Sequence, residues 1–165
     1  MSEKKINIPP KIGWYLAGFA DGEGSFNVSF RPREDYRNKW KISLSFNVSQ
    51  DEKLILTLFK RYLGCGTLRM RKDGIWYYEV TSVNAISEKV IPFFKKFHFL
   101  SQKKKKAFSK FKGVLEMVLN GEHLTEDGIK KIAKLREEIN GDHSKRKYNS
   151  KEIISSLEES SETIR

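Results

Sequence analysis

From Trp40 to Val48 apolar and polar residues alternate without a break. Trp40, Ile42, Leu44, Phe46 and Val48 hold one parity; Lys41, Ser43, Ser45 and Asn47 hold the other. Successive side chains of a strand point to opposite faces, so this pattern demands an extended segment with one face in a core and one face open. A single half-buried strand cannot stand alone. It requires partner strands in the same sheet and something apolar to cover the buried face.

The partners follow from the same period. Phe26, Val28 and Phe30 alternate with Asn27, Ser29 and Arg31, predicting a strand over 26–31. A turn-like stretch, RPREDYRNK, separates it from the strand at 40–48. Two shorter strands surround the turn Lys72-Asp73-Gly74. Leu68 and Met70 are expected inward with Thr67, Arg69 and Arg71 outward; Trp76, Tyr78 and Val80 inward with Tyr77, Glu79 and Thr81 outward. Helical spacing fills the gaps. Residues 11–21 read as a helix after Pro9-Pro10. Ser49-Gln50-Asp51-Glu52 has the form of a capping box, opening a helix that carries Leu54, Ile55, Leu58, Phe59 and Tyr62 and stops at Gly64. From Asn84 the pattern is helical again, with Pro92 expected to end or kink the first piece. Further helices are predicted over 101–119, after Thr125 and from Ser150. The order is helix, two strands, helix, two strands, helices. It predicts one mixed α/β (α+β) domain over 1–165, with an antiparallel four-stranded sheet and helices on one face.

The open face of that sheet is polar and short of acids. It collects Asn27, Ser29, Arg31, Arg33, Lys41, Ser43, Ser45, Asn47, Thr67, Arg69, Arg71, Tyr77 and Glu79, with Tyr36 in the loop between the first strands. The net charge is +11, from 32 Lys and Arg against 21 Asp and Glu, which points to a polyanionic partner. A pure phosphate binder needs mainly Lys and Arg, whereas a mixed set can also bond base edges. An RNA-binding sheet is the second reading, but such sheets stack bases on exposed aromatics, and here only Tyr77 faces outward. Lys145, Arg146 and Lys147 add a basic segment suited to phosphate contact. The chain has a single cysteine, Cys65, so no intrachain disulfide is expected and the compartment is reducing and intracellular. His98, His123 and His143 lack metal-ligand spacing. No apolar run has the length of a membrane span or of a secretory leader.

The stretch LAGFADGEGSF, Leu16 to Phe26, breaks a rule. The C-terminal end of a helix carries partial negative charge and favours bases, yet Asp21 and Glu23 stand there among Gly22 and Gly24. Ala17 and Gly18 are small enough to admit a second backbone. Gly22 and Gly24 are expected to turn the chain with positive φ. This segment resembles the signature of the LAGLIDADG homing endonucleases. Leu16, Ala17, Gly18, Asp21, Gly22 and Gly24 match it, and Glu23 stands at its last acid.

The resemblance covers most of the chain and implies the αββαββα fold. It implies cleavage of both strands of a long pseudo-palindromic double-stranded DNA target by divalent-metal-dependent hydrolysis, promoting mobility of a host intron or intein. The alternative on the same fold is an RNA maturase that assists splicing. By resemblance Glu23 and the Gly22 carbonyl bind Mg²⁺ or Mn²⁺, with Ca²⁺ expected to support binding without cleavage. Gln50 positions water. Lys103 stabilises the transition state, with Lys104 as the alternative register, and Lys53 is the candidate for a further base. Asp21 is a structural acid. One signature per chain implies a homodimer joined through Trp14, Ala17, Gly18, Ala20 and Asp21. The setting is a bacterial or archaeal cytoplasm, a chloroplast or a mitochondrion, and no membrane is involved.

Overall fold

In the computed structural model, which describes residues 7–140 and 146–162, the alternating segments are strands. They are β1 (Gly24–Pro32), β2 (Trp40–Gln50), β3 (Thr67–Met70) and β4 (Trp76–Val80), in one sheet of order β1-β2-β4-β3. β4 runs antiparallel to both β2 and β3. Around them the chain forms α1 (Pro10–Glu23), α2 (Lys53–Leu63), α3 (Val83–Ala85), α4 (Ile91–Lys96), α5 (Gln102–Leu119), α6 (Glu126–Asn140) and α7 (Ser150–Glu162). The predicted αββαββα order is therefore present. Among the described residues no helix is long and apolar enough to cross a membrane. The chain resolves into two compact units. One comprises residues up to Ser25 and Ser45–Lys105; the other comprises Phe26–Leu44 and the residues from Lys106 onward.

In the first unit the buried parity of β2 and β4 meets an aromatic cluster. Phe46, Phe59 and Tyr78 are fully buried, and Phe59 stacks on Tyr78 with ring centroids 5.9 Å apart. Phe94 closes on Phe46 at 5.1 Å. α2 supplies Phe59 because Leu56, Phe59 and Leu63 fall on one stripe. It ends as predicted at Gly64, which adopts the left-handed conformation (φ 63°) and donates its N–H to Lys60. The capping box at its start does not form. Glu52 occupies the N-cap position without a side-chain cap, and the Gln50 Oε1 accepts the Asp51 N–H at 2.8 Å. Met70 also departs from expectation: β3 is an edge strand four residues long, and Met70 is 60% exposed. Pro92 enters α4 directly after a π-helical turn, Ile86–Val90, in which the Ile91 N–H reaches back to the Ile86 carbonyl. The register shift marks the predicted irregularity without ending the helix.

The second unit buries Phe26, Val28 and Phe30 of β1, with Phe26 against α5 and Phe30 against α6. Phe26 meets Phe111 at 5.0 Å. A buried Arg136 lies over the Phe30 ring at 4.9 Å and donates to the Tyr148 carbonyl and the Ser150 Oγ. Glu137 accepts from Arg146 at 2.8 Å. Burial opposes the Glu137 charge, but Ser150, Arg146 and Arg136 together hold its carboxyl below the usual range. Trp40 donates its indole N–H to the Ser156 Oγ at 3.0 Å, tying α7 to β2 within this unit.

Two contacts fix α1. Gly13 lies flat under the buried Phe97 ring, where an added Cβ would come within 2.2 Å of Cζ. At the other end, Asp21 accepts from the backbone N–H groups of Leu100 and Ser101, each at 3.0 Å, and from the Ser101 hydroxyl. Ser101 in turn accepts the Lys104 N–H at 3.2 Å, capping α5. The helix is longer than predicted: it includes Glu23, and Gly24 continues in an extended conformation (φ −76°) instead of a positive-φ turn. Gly24 is required for space, because a Cβ there would lie 2.7 Å from the Ala20 carbonyl oxygen.

Burial disfavours the Asp21 charge, but the Ser101 and Leu100 donors and the nearby Lys104 hold its carboxyl below the usual range. Stability from this depressed carboxyl is fully present above the unfolded value of about 3.9 and is lost as pH falls through the folded value. Asp21→Asn should cost about 0.5–2 kcal/mol at neutral pH, as for a lost helix cap. In urea titrations its deficit against wild type should shrink below about pH 4; a deficit independent of pH would contradict the assignment. Gly13→Ala should destabilise by about 1–3 kcal/mol through overpacking against Phe97, and an unchanged midpoint would refute that contact.

Candidate active site and nucleic-acid interface

The C-terminal end of α1 exposes one carboxylate beside one tethered ammonium. Glu23 is the last residue of the helix and is exposed, as is Gly22. The carbonyls of a final helical turn lack intrahelical partners and carry partial negative charge. Lys104, in the first turn of α5, donates from Nζ to the Gly24 carbonyl. Burial lowers the Lys104 pKa, as does the adjacent Lys103, against the opposing pull of Asp21 and Glu23. Lys103 itself is exposed. The base tethered at this helix end is thus Lys104. The reason is the α5 cap: with Ser101 fixed by Asp21, the side chain three residues on turns back to β1.

An exposed carboxylate and a carbonyl-rich helix end are hard oxygen donors of the kind that Mg²⁺ and Ca²⁺ take. They fit a divalent cation. Among the described residues no group of three or more His, Cys, Asp or Glu side chains could hold a metal within one chain. Mg²⁺ needs few protein ligands because it keeps several waters. Gln50 ends β2 opposite Trp76; its carbonyl oxygen is engaged with Asp51, which leaves its NH₂ group to donate. Lys53 lies over the Trp76 ring at 4.6 Å.

The exposed side of α1 is narrower than the sequence suggested. Ala17 and Ala20 are 2% and 0% exposed, inside the core of their own chain, and Asp21 is occupied by Leu100 and Ser101. Of these three residues expected at a dimer seam, the two alanines are buried within their own chain and Asp21 is half-buried. The outward stripe is instead Trp14, Gly18 and Gly22, spaced four residues apart on one side. Trp14 is 46% exposed, and an added Cβ at Gly18 or Gly22 would meet nothing within 4 Å. Trp14 is itself held edge-on by Phe97 and His98, at 5.5 and 5.0 Å.

Each unit carries its share of the polar strand face. In the second, Ser29 and Arg31 are exposed, Lys41 and Ser43 half-buried, and Asn27 bonds Asn140 at 3.2 Å. Arg33 pairs with Asp35 at 2.6 Å and covers the Tyr36 ring. Lys147 is exposed beside Tyr148. Arg146 is not a free basic group: it is bound to Glu137 in the cluster around Arg136. Lys145 and His143 lie outside the described residues. In the first unit, Ser45, Asn47, Tyr77 and Glu79 are half-buried and Thr67, Arg69 and Arg71 exposed. Arg71 is paired with Asp73 at 2.6 Å in the β3–β4 turn. Sequence reading missed Gly13 and the α5 cap; the adjacency of Leu100-Ser101 to a lysine run was the available signal for the second.

Comparison with known proteins agrees with the fold. A family model described as LAGLIDADG endonuclease matches residues 16–115, which begin in α1 and end in α5. The chain is 39% identical over 88 residues to the DNA endonuclease I-CvuI of Chlorella vulgaris, covering 50% of this chain and 54% of that protein. It is 37% identical over 81 residues to the homing endonuclease I-ApeII of Aeropyrum pernix, covering 47% of this chain and 48% of the other. The matches thus span about half the length of these relatives, and about a third, 36%, of a cox1 intron-2 protein of Schizosaccharomyces pombe. Among solved structures, the archaeal intron-encoded homing endonuclease I-Vdi141I complexed with DNA superposes with a TM-score of 0.79 at 28% identity, covering 90% of this chain and 95% of that one. I-SmaMI bound to an uncleaved DNA target in the presence of calcium gives 0.76 at 32% identity, covering 81% and 46%. The match of the family model over more than half of its residues makes this chain a member of the LAGLIDADG endonuclease family.

Proposed function

We propose that this chain is a site-specific double-stranded DNA endonuclease that works as a homodimer with a divalent cation, Mg²⁺ or Mn²⁺, serving the mobility of a host intron or intein. The observation that carries the reading is the α1 terminus. Glu23 stands exposed where a helix end repels acids, while Asp21 beside it is consumed by the α5 cap. A carboxylate kept free at such a cost to local electrostatics is a functional group. The family match and the DNA-bound neighbours support the substrate class.

Each residue then has a task. Glu23 and the Gly22 carbonyl would hold the cation. When bound, it would supply Lewis-acid activation of water and stabilisation of developing negative charge. Lys104, held to the Gly24 carbonyl, brings a fixed positive charge to a phosphate whose negative charge grows during attack. Gln50 donates from its free NH₂ group to orient water. One carboxylate per chain leaves the site incomplete. The open stripe of Trp14, Gly18 and Gly22 offers a second copy close approach, so two Glu23 carboxylates would meet over two scissile phosphates. A two-fold enzyme reads a pseudo-palindromic target. The bases elsewhere on the chain hold the polyanion over this acidic centre.

Glu23→Gln should reduce cleavage in Mg²⁺ by about 100-fold or more while leaving DNA affinity within a few-fold; undiminished cutting would sink the assignment. Lys104→Ala should slow single-turnover cleavage on the order of 100-fold, whereas Lys103→Ala should act mainly on affinity; the reverse would return the role to Lys103. In sedimentation the wild type should be a dimer and Gly18→Phe a folded monomer without double-strand cutting. A wild-type monomer, or retention of RNA with no DNA cut, would overturn the reading.

A further inference from the structure

A carboxylate at the centre of a surface that receives DNA is a liability unless it reads something. Glu79 is that carboxylate in the first unit. The strand register sets out its neighbours: Asn47 and Thr67 lie directly across from Glu79 on β2 and β3, and Ser49 and Arg69 lie across from Tyr77. These six side chains form two cross-strand rows on the face opposite Tyr78 and Val80, which are buried. Partners across an antiparallel pair share a face, so the two rows are contiguous.

Within this patch Glu79 is held from two sides. The Tyr77 hydroxyl donates to its Oε1 at 3.3 Å, and an Arg69 guanidinium nitrogen lies 3.9 Å from its Oε2. Arg69 also lies over the Tyr77 ring, 4.9 Å from the centroid. Burial first, and then the Glu79 charge, push the Tyr77 hydroxyl up to about 12, so it remains a donor throughout the working range. Neither contact exhausts Glu79, since a carboxylate has about four acceptor positions. Arg69 likewise has five donors, of which the ion pair engages few. Glu79 thus keeps outward acceptor capacity and Arg69 outward donor capacity, side by side and braced by one ring.

We infer that Glu79 and Arg69 form a braced pair that reads G·C base pairs, Glu79 accepting from the cytosine N4 amino group and Arg69 donating to guanine O6 and N7. The inference rests on the reading of this chain as a double-stranded DNA binder. Chemistry selects the bases. In the major groove a carboxylate can only accept. Cytosine presents its N4 amino donor there with no acceptor on the same base, whereas the adenine N6 amino group stands beside the N7 acceptor, which repels a carboxylate; an arginine fork matches the two acceptors of guanine. Thymine offers Glu79 a carbonyl oxygen and a methyl group, and a carboxylate is repelled by the first and gains nothing from the second. Glu79 therefore also rejects: it makes the wrong pair costly as well as the right pair favourable. Tyr77 is the positioning residue that fixes both side chains before DNA arrives, which lowers the ordering cost of binding.

The test uses the full chain and a randomised duplex library, with bound duplexes recovered in Ca²⁺ and sequenced, and with cleavage of recovered sites measured separately in Mg²⁺. Wild type should show a preference for cytosine at one position and for guanine on an adjacent or the same pair. Glu79→Gln, which can both donate and accept, should move the first preference toward adenine with a loss of cytosine discrimination of about tenfold, and leave the other positions unchanged. Arg69→Gln, at an exposed site that tolerates substitution, should relax only the guanine position. Tyr77→Phe should weaken both positions together. Variant profiles that superpose on the wild-type profile, differing only in overall affinity, would overturn the inference, as would a wild type with no G·C preference. Sequence-selective binding without cleavage would instead refute the nuclease reading and leave this one standing.

Discussion

Asp21 accepts three hydrogen bonds from Leu100 and Ser101, the two residues that lead into α5, and most of the candidate site is a consequence. A helix C-terminus with an acid at its end is unfavourable, while a helix N-terminus with an acid beside it is favourable. Placing the end of α1 against the start of α5 lets the same carboxylate change from a liability to a cap. Ser101 is thereby fixed, and the third residue beyond it, Lys104, is carried back to the Gly24 carbonyl. Glu23 gains no such partner. Two acids two residues apart thus acquire different chemistry: one is neutralised by amide dipoles within the chain, and the other projects from the surface.

The strand periodicity was enough to locate all four strands and their inward faces, because alternation is imposed by geometry and survives any tertiary context. It failed at Met70, where a four-residue edge strand leaves too little covering structure for its parity to mean burial. Helix boundaries were less legible. Glycine at 22 and 24 reads as a stop signal, but Gly22 simply continues α1 into Glu23, and Gly24 answers a steric demand from the Ala20 carbonyl. The Ser49–Glu52 capping pattern was likewise available in sequence and unused, since β2 extends to Gln50 and draws the would-be cap into the sheet. In the second case the local signal lost to sheet pairing.

Glycine positions show why the site itself was only partly readable. Gly18 appeared to be the residue that needed a close neighbour, yet within the chain it faces open space; Gly13 makes the close contact, beneath Phe97. No local rule separates them, because the distinction depends on Phe97, eighty-four residues from Gly13 in the sequence. The same holds for Ala17 and Ala20, which share the small size of Gly18 but fall on the inner side of the helix. The lysine run left Lys103 and Lys104 as alternative registers in sequence, and of the two it is Lys104 that bonds the Gly24 carbonyl.

An open glycine in a helix is unexplained by the chain that contains it. Gly18 lowers helix propensity by about 1 kcal/mol relative to alanine, and among the described residues nothing uses the space. The same is true of Gly22 one turn later, and both share a side of the helix with the half-exposed Trp14. Cost without internal return at these two glycines, aligned with a half-exposed tryptophan, is what the proposed approach of a second backbone would account for. That surface ends at Glu23. In the proposed homodimer the stripe that would bring two helices together and the carboxylates that such a meeting would juxtapose belong to one continuous edge of α1, so a single helix would then carry both assembly and chemistry.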